Sequence, residues 1–402
     1  MIITKQNRMT RFLCLLFLLF IPIQHKAQSI TLNQGNTLQK DYFAEIPFEN
    51  IYNKLIIPIV IENKTYRFLL DTGAPCVITS ELSNVMQSKF LSSINIVDAN
   101  GKNDTMKMVA IPALSLGGIT FQDIPALVND NKMIFECLKI DGFIGSNLLR
   151  NSILQLSSQK KSIIITDNPS RLNLRKKYAS KLYLYDTQSS PFIKIGLKNK
   201  KEASEELLFD TGMNNLYDMS LRAYDILKEA NLFVDIEEGY GNASIGIFGN
   251  SEDTKNYRFT VPQIKINGTA FKNMTIETTN DKNSRIGAEL LNHGLVTVDY
   301  KNKYFYFEPF NESYDLKEKQ IGFKPTISNE KLVVGIIWDD AIKGTVGIED
   351  EIVQIDDVNY DNINYCDIVT QPSPLRNKNK ETFKVTFRNS VGDLTTLDLT
   401  KK

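Results

Sequence analysis

The sequence predicts two homologous, mainly β lobes followed by a smaller third module, and three observations carry that expectation. The chain has 402 residues, too many for one ordinary domain and enough for two or three, each with its own core. Its central part contains the same pair of motifs twice, in the same order. Between those motifs the chain runs in short apolar or alternating stretches broken by turn residues, and helical periodicity is confined to short pieces such as residues 220–230. The 42% apolar and 23% charged composition is that of a globular protein and excludes whole-chain disorder and fibrous repeats. Forty-seven basic residues balance 47 acidic ones with no basic block, so nothing electrostatic points to nucleic acid. Two histidines and four cysteines are too few to favour a zinc cage or a histidine-based triad, and neither metal nor cofactor is expected.

In chain order, Lys5, Arg8 and Arg11 precede an apolar run at residues 12–23, and a polar stretch with a small residue at Ala27 follows. The run is shorter than the roughly 20 residues a membrane span needs. Residues 1–27 therefore read as a secretory signal peptide cleaved near Ala27, which exports the protein to a periplasm, cell envelope or extracellular space. Cys14 stands at the start of the apolar run rather than after it, against a lipoprotein signal. No later segment is long and apolar enough to span a bilayer. Cleavage removes Lys5, Arg8, Arg11 and Lys26 and no acid, leaving 43 basic against 47 acidic residues, a net charge of −4. Cys76, Cys137 and Cys366 remain. An odd number at wide spacing is not a disulfide framework; it leaves room for one bridge, but burial as small apolar side chains is the favoured expectation.

The repeat comes next. Phe68-Leu69-Leu70-Asp71-Thr72-Gly73 returns as Leu207-Leu208-Phe209-Asp210-Thr211-Gly212, at an offset of 139. Ile144-Gly145-Ser146-Asn147-Leu148-Leu149 returns as Ile286-Gly287-Ala288-Glu289-Leu290-Leu291, at an offset of 142. Each second motif is followed by a strand, a Lys-rich turn and another strand, at residues 153–165 and again at 295–307. The lobes are accordingly placed at residues 28–170 and 171–312.

One Asp-Thr-Gly after an apolar run has a plain explanation: a strand ends, Asp caps the turn and Gly relaxes it. Two copies, each after three large apolar residues and each at the same place in a repeated lobe, ask for more. A continuous apolar run marks a strand buried on both faces, so each Asp is delivered at the end of an interior strand. A carboxylate there is costly unless its charge is paired or shared. Lobes packed about a pseudo-two-fold axis bring the two aspartates to each other.

These four motifs, in register over roughly residues 45–310, resemble the aspartic proteases of the pepsin and retropepsin type with both lobes in one chain. The resemblance implies two pepsin/retropepsin-like β-barrel lobes with pseudo-two-fold symmetry and Asp71 and Asp210 as catalytic residues. Thr72 and Thr211 would lock the two loops together, and Gly73 and Gly212 would let backbone approach the carboxylates. Gly145 and Gly287 belong to segments that pass behind the loops. Ala74 and the Ile-Gly-x-x-Leu-Leu pattern of both lobes look more like retropepsins than pepsin. The implied chemistry is hydrolysis of a polypeptide held between the lobes by a monomer, through a water activated between two carboxyls, with no covalent intermediate. Ala74 and Met213 depart from the hydroxyl residues that follow the glycine in pepsin-like loops. Residues 94–108, with Asn100-Gly101 at the turn, are the candidate flap, and the family's flap tyrosine has no counterpart there. Cys76 reads as a small buried residue in the turn after its strand rather than a redox switch. His293 reads as a surface residue at the start of a hairpin.

Beyond Pro309 the repeat ends, and residues 311–320 read as a linker. Strands are expected at 332–338 and 383–388. The run at 347–358 is similar to the Gly-Asp-x-Ile-x-x-Ile-[Asn/Asp]-[Gly/Asp] signature of PDZ domains, which makes residues 313–402 a small PDZ-like α+β domain. Ile321, Gly322 and Phe323 are the candidate loop for a peptide carboxylate, since PDZ domains take a peptide C-terminus or strand along a sheet edge. Two functions stand open at this point: a secreted aspartic endopeptidase, or a non-catalytic peptide-binding or scaffolding protein with the same fold.

Overall fold

A computed structural model of the chain describes residues 31–402 apart from 99, 186, 243, 244 and 362; the expected signal peptide, residues 1–27, lies outside the described residues. Residues 32–402 pack as one unit, and the fold is mainly β.

The sequence repeat is a structural repeat. In the first lobe, strand Lys54–Ile61 turns through Glu62 and Asn63, both at positive φ, and pairs antiparallel with Lys64–Asp71. That strand then lies parallel to Gly142–Gly145, with Asp71 opposite Gly145. In the second lobe, Ser190–Lys198 pairs antiparallel with Glu202–Asp210, which lies parallel to Arg285–Gly287 with Asp210 opposite Gly287. Phe68, Leu69, Leu70 and Leu207, Leu208, Phe209 are all buried, as a strand covered on both faces requires. Residues 220–230 form a short helix, Leu221–Leu227, capped by Ser220 and extended by one 3-10 turn.

A six-stranded sheet joins the lobes. The hairpin Ile153–Ser157 with Ser162–Thr166 meets the hairpin Gly294–Asp299 with Tyr304–Pro309 edge to edge, with Ile153 opposite Asp299 and Leu156 opposite Val296. Strand Phe43–Pro47 closes one edge and Ala179–Lys181 the other, so the strand order is the same read outward from either side of the central pair. This is the pseudo-two-fold expected from the repeat.

The C-terminal module, built on strands Phe323–Ser328, Lys331–Ile337, Glu351–Ile355, Thr382–Arg388 and Leu394–Thr400, has its own core of Phe323, Val334, Ile355, Val385 and Phe387 among others. It is not a loosely tethered appendage. Gly241 of the second lobe pairs with Ile336, which makes the module's sheet continuous with that lobe's. Residues 311–320, expected as a linker, contain strand Ser313–Asp315, which pairs parallel with Ala270–Lys272 and stacks Tyr314 on Phe271. His293 is likewise not a surface residue. It is half-buried between Phe271 and Tyr314, edge-on to both rings.

Cys137 and Cys366 form a disulfide, the single bridge that the sequence left open, against the favoured expectation of buried thiols. Cys137 sits in helix Lys132–Leu138 of the first lobe and Cys366 in helix Tyr365–Thr370 of the module. Cys76 is buried and free, as expected. The bridge closes a loop of 229 residues, so its main effect is to restrict the unfolded chain. Replacing Cys366 with Ser is expected to lower stability by about 2–4 kcal/mol in guanidinium unfolding under oxidising conditions. Under reducing conditions the variant and the parent should unfold together, and equal oxidised midpoints would show that the bridge does not form.

Candidate active site

Each Asp-Thr-Gly follows an interior strand, and the strand's own burial delivers its Asp to the junction between the lobes. The hydroxyls of Thr72 and Thr211 bind the two loops there reciprocally. Thr72 Oγ1 donates to Phe209 O at 2.7 Å and accepts from Thr211 N at 3.0 Å. Thr211 Oγ1 donates to Leu70 O at 2.7 Å and accepts from Thr72 N at 3.0 Å. Both threonines are fully buried, so each hydroxyl has its donor and acceptor capacity met inside the protein.

That grip sets each carboxyl over the opposite loop. A Cβ on Gly73 would lie 2.5 Å from Asp210 Cγ, and one on Gly212 would lie 2.4 Å from Asp71 Oδ2. Neither glycine is at positive φ, so the requirement is space, not backbone conformation. Gly145 backs the first loop, where a Cβ would meet Pro75 C at 2.2 Å, and Gly287 backs the second, where it would meet Asn215 O at 2.2 Å. Asp71 Oδ1 accepts from Gly73 N at 3.0 Å and Ala74 N at 3.1 Å, and Asp210 Oδ1 accepts from Gly212 N at 2.8 Å. Burial, and after it the charge of Asp210, push the Asp71 carboxyl up to about 7 against the pull of Lys54.

Several groups at the site were not singled out from the sequence. Lys54, at the tip of the hairpin that opens the first lobe, hydrogen-bonds the Gly212 carbonyl and acts electrostatically on both aspartates; burial holds its ammonium below the usual lysine range. The neighbouring Asn53 reaches Asn214 O at 3.0 Å. Gln188 makes the mirror contact from the second lobe, donating to Gly73 O at 3.1 Å. Arg285, read only as part of a motif, places Nη1 3.5 Å from Asp210 Oδ2 and Nε 3.5 Å from Asp281 Oδ2. The signal for Arg285 was present: its repeat counterpart is Phe143, and a guanidinium on an interior strand needs an acidic partner. Tyr300 lies buried near Asp71, and its hydroxyl has no hydrogen-bond partner among the described residues.

The candidate flap is a hairpin of Lys89–Val97 and Asn103–Leu116. Its tip does not stand alone. Asn100 Nδ2 donates to Gly249 O at 2.9 Å, and Asp98 Oδ2 accepts from Phe248 N at 3.1 Å. Both partners lie in a small second-lobe hairpin, Ile245–Gly246 with Gly249–Asn250. Its Phe248 side chain packs against the first lobe's outer core cluster. Gly101, at φ 77°, has open space around it. A groove of about 750 Å³ runs beside these tips, lined by Asn100, Gly101, Phe248, Glu252 and Asn280 among others.

The candidate carboxylate loop lies away from the dyad, in the C-terminal module. Ile321 and Phe323 are buried in the module's core, Ile321 O accepts from Arg258 Nη1 at 2.8 Å, and Gly322 O accepts from Trp338 N and Asp339 N, each at 2.9 Å.

The aspartyl protease family profile matches residues 57–148, the stretch that carries the first Asp-Thr-Gly and its Gly-containing partner. Among solved structures the chain is similar to the aspartic proteinase from Irpex lacteus, at 13% identity and a TM-score of 0.41, covering 67% of this chain and 97% of that one. It is also similar to basic 7S globulin from soybean, at 11% identity and a TM-score of 0.40, covering 66% and 94%. No curated protein matches the chain.

Two outcomes follow from the grip. Thr211→Val leaves Leu70 O and Thr72 N buried without their partner, and should cost about 1–3 kcal/mol in urea unfolding. Gly73→Ala should displace Asp210 and remove whatever activity the dyad supports, and an unaltered Gly73→Ala protein would mean that the carboxyl does not sit over that glycine.

Proposed function

We propose that the protein is an exported aspartic endopeptidase that hydrolyses extended polypeptides with Asp71 and Asp210. The observation that carries this reading is the convergence of two carboxyls, a buried Asp210 and a half-buried Asp71, one from each lobe, on reciprocally hydrogen-bonded loops. Two carboxyls so close cannot both ionise at low cost, so the pair keeps one proton and titrates as a unit. The ionised member takes a proton from a water held between them, and that water attacks the peptide carbonyl. The protonated member donates a hydrogen bond to the carbonyl oxygen as it becomes an oxyanion. The family match over the first lobe supports the same chemistry.

Two further parts of the reading rest on other features. The Cys137–Cys366 bridge fits an oxidising compartment, in keeping with export. The C-terminal module is read as PDZ-like from residues 347–358, and its sheet contact with the second lobe suits a role in fixing the hairpins that border the cleft. The partner at the dyad is a polypeptide, and the enzyme acts as a monomer.

The test is peptide hydrolysis measured across pH, with and without pepstatin, for the parent and for Asp71→Asn and Asp210→Asn. Each substitution is expected to lower kcat by several orders of magnitude while leaving peptide binding measurable. The pH dependence has a definite sign. Asp71 is pushed up to about 7, so the pair retains its proton to near neutrality, and turnover should fall as pH rises through that value. The optimum should lie well above that of pepsin, because neither Ala74 nor Met213 supplies a hydroxyl to a carboxylate. An optimum near about pH 2 contradicts the reading, and peptide binding without turnover at any pH replaces it with a scaffolding role.

A further inference from the structure

The two lobes are alike in backbone but not in charge. We infer that Arg285 makes the dyad unequal, so that Asp210 is the ionised carboxylate and Asp71 carries the proton. This rests on the reading of the two carboxyls as one reacting pair.

Arg285 Nη1 is 3.5 Å from Asp210 Oδ2, and its side chain is only 13% exposed. Guanidinium does not lose its proton in proteins, so this is a fixed charge in a poorly solvated place. The equivalent position in the first lobe is Phe143: Phe143 lies opposite Leu69, as Arg285 lies opposite Leu208. Asp210 therefore has a cation where Asp71 has a phenyl ring. The second cation, Lys54, acts on both carboxyls, on Asp71 first and on Asp210 after it, so the asymmetry rests on Arg285. Lys54 comes from the first lobe but hydrogen-bonds Gly212 O, in the Asp210 loop. The mirror contact to Gly73 O, in the Asp71 loop, is the neutral amide of Gln188.

The opposing influences are weaker. Asp71 accepts two backbone N–H bonds and Asp210 one, but a single extra neutral donor stabilises a carboxylate less than a nearby full charge does. Asp281 competes for Arg285 at 3.5 Å. Burial pushes the Asp281 carboxyl up more than Arg285 pulls it down, with the charges of Asp210 and Asp98 adding to the rise. Asp218 also faces Arg285. Near Asp71 the remaining groups are Asp210, Lys54 and the buried phenol of Tyr300. Of these only Lys54 favours an ionised Asp71, and it favours an ionised Asp210 as well.

The experiment does not require turnover. Protein labelled with carbon-13 at the aspartate carboxyls is titrated by NMR, and Asp71→Asn and Asp210→Asn assign the two resonances. Between the two ionisations of the pair, the Asp210 carbon should show the ionised shift and the Asp71 carbon the protonated one. Arg285→Met should raise the Asp210 midpoint by about one to three units, with Arg285→Lys restoring most of the difference. Lys54→Met should raise both midpoints and leave their order unchanged. Asp71 ionising first in the parent overturns the inference, and so does an Asp210 midpoint that Arg285→Met leaves in place. If Arg285→Met does not fold, the parent titration alone still decides which carboxyl ionises first. A peptidase assay on the same samples separates the two claims: a silent dyad with the expected titration removes the enzyme and keeps the charge assignment.

Discussion

The structure depends on a pair of threonine hydroxyls. Thr72 and Thr211 are the point at which two β lobes, each with its own interior strands, become one site. Each hydroxyl both donates to and accepts from the opposite loop, and both are wholly out of solvent. A buried hydroxyl with only one partner would weaken the junction by its desolvation cost; with both partners it specifies one relative placement of the lobes. Everything at the carboxyls follows from that placement. Asp71 lies over Gly212 and Asp210 over Gly73 because the loops are held crosswise, and the missing side chains of those glycines are the space the carboxyls occupy.

The second level of organisation is the way the edges of the cleft are tied down. The first-lobe hairpin tip at Asp98 and Asn100 is hydrogen-bonded to the second-lobe tip at Phe248 and Gly249. The C-terminal module holds the base of that second-lobe hairpin through Gly241 and Ile336, and Asn250 Nδ2 donates to Ile327 O at 2.7 Å. The module is then fastened to the first lobe by Cys137–Cys366, and Arg376 reaches Asn215 Oδ1, just past the second Asp-Thr-Gly loop, at 3.0 Å. Lobes, hairpins and module thus form a closed circuit, in which moving the module means moving the second-lobe hairpin.

Much of this was legible in the sequence because repetition is a stronger signal than propensity. The paired motifs located both Asp-bearing strands, the parallel partners ending at Gly145 and Gly287, and the two hairpins of the joining sheet. The residues that escaped are of two kinds. Cys137 and Cys366 lie 229 residues apart in different parts of the fold, and spacing carries no information about a pairing made only by tertiary structure. Lys54 and Gln188 act from the tips of hairpins onto the opposite lobe, so their partners are set by the packing of the lobes. Strand Ser313–Asp315 was hidden by its charge, since an exposed edge strand need not look apolar.

Arg285 belongs to a third kind, because a repeat reveals what two lobes share and passes over what they do not. Duplication produces two equivalent carboxyls, yet acid–base chemistry needs one of them ionised and the other protonated at the same moment. In a perfectly symmetric pair the proton would have no preferred seat. A cation placed against one carboxyl and an apolar ring at the mirror position resolve that degeneracy without moving the backbone, which is why Phe143 and Arg285 can occupy identical places in their sheets. At Phe143 and Arg285 the failure of the repeat is thus what makes two otherwise equivalent halves electrostatically different.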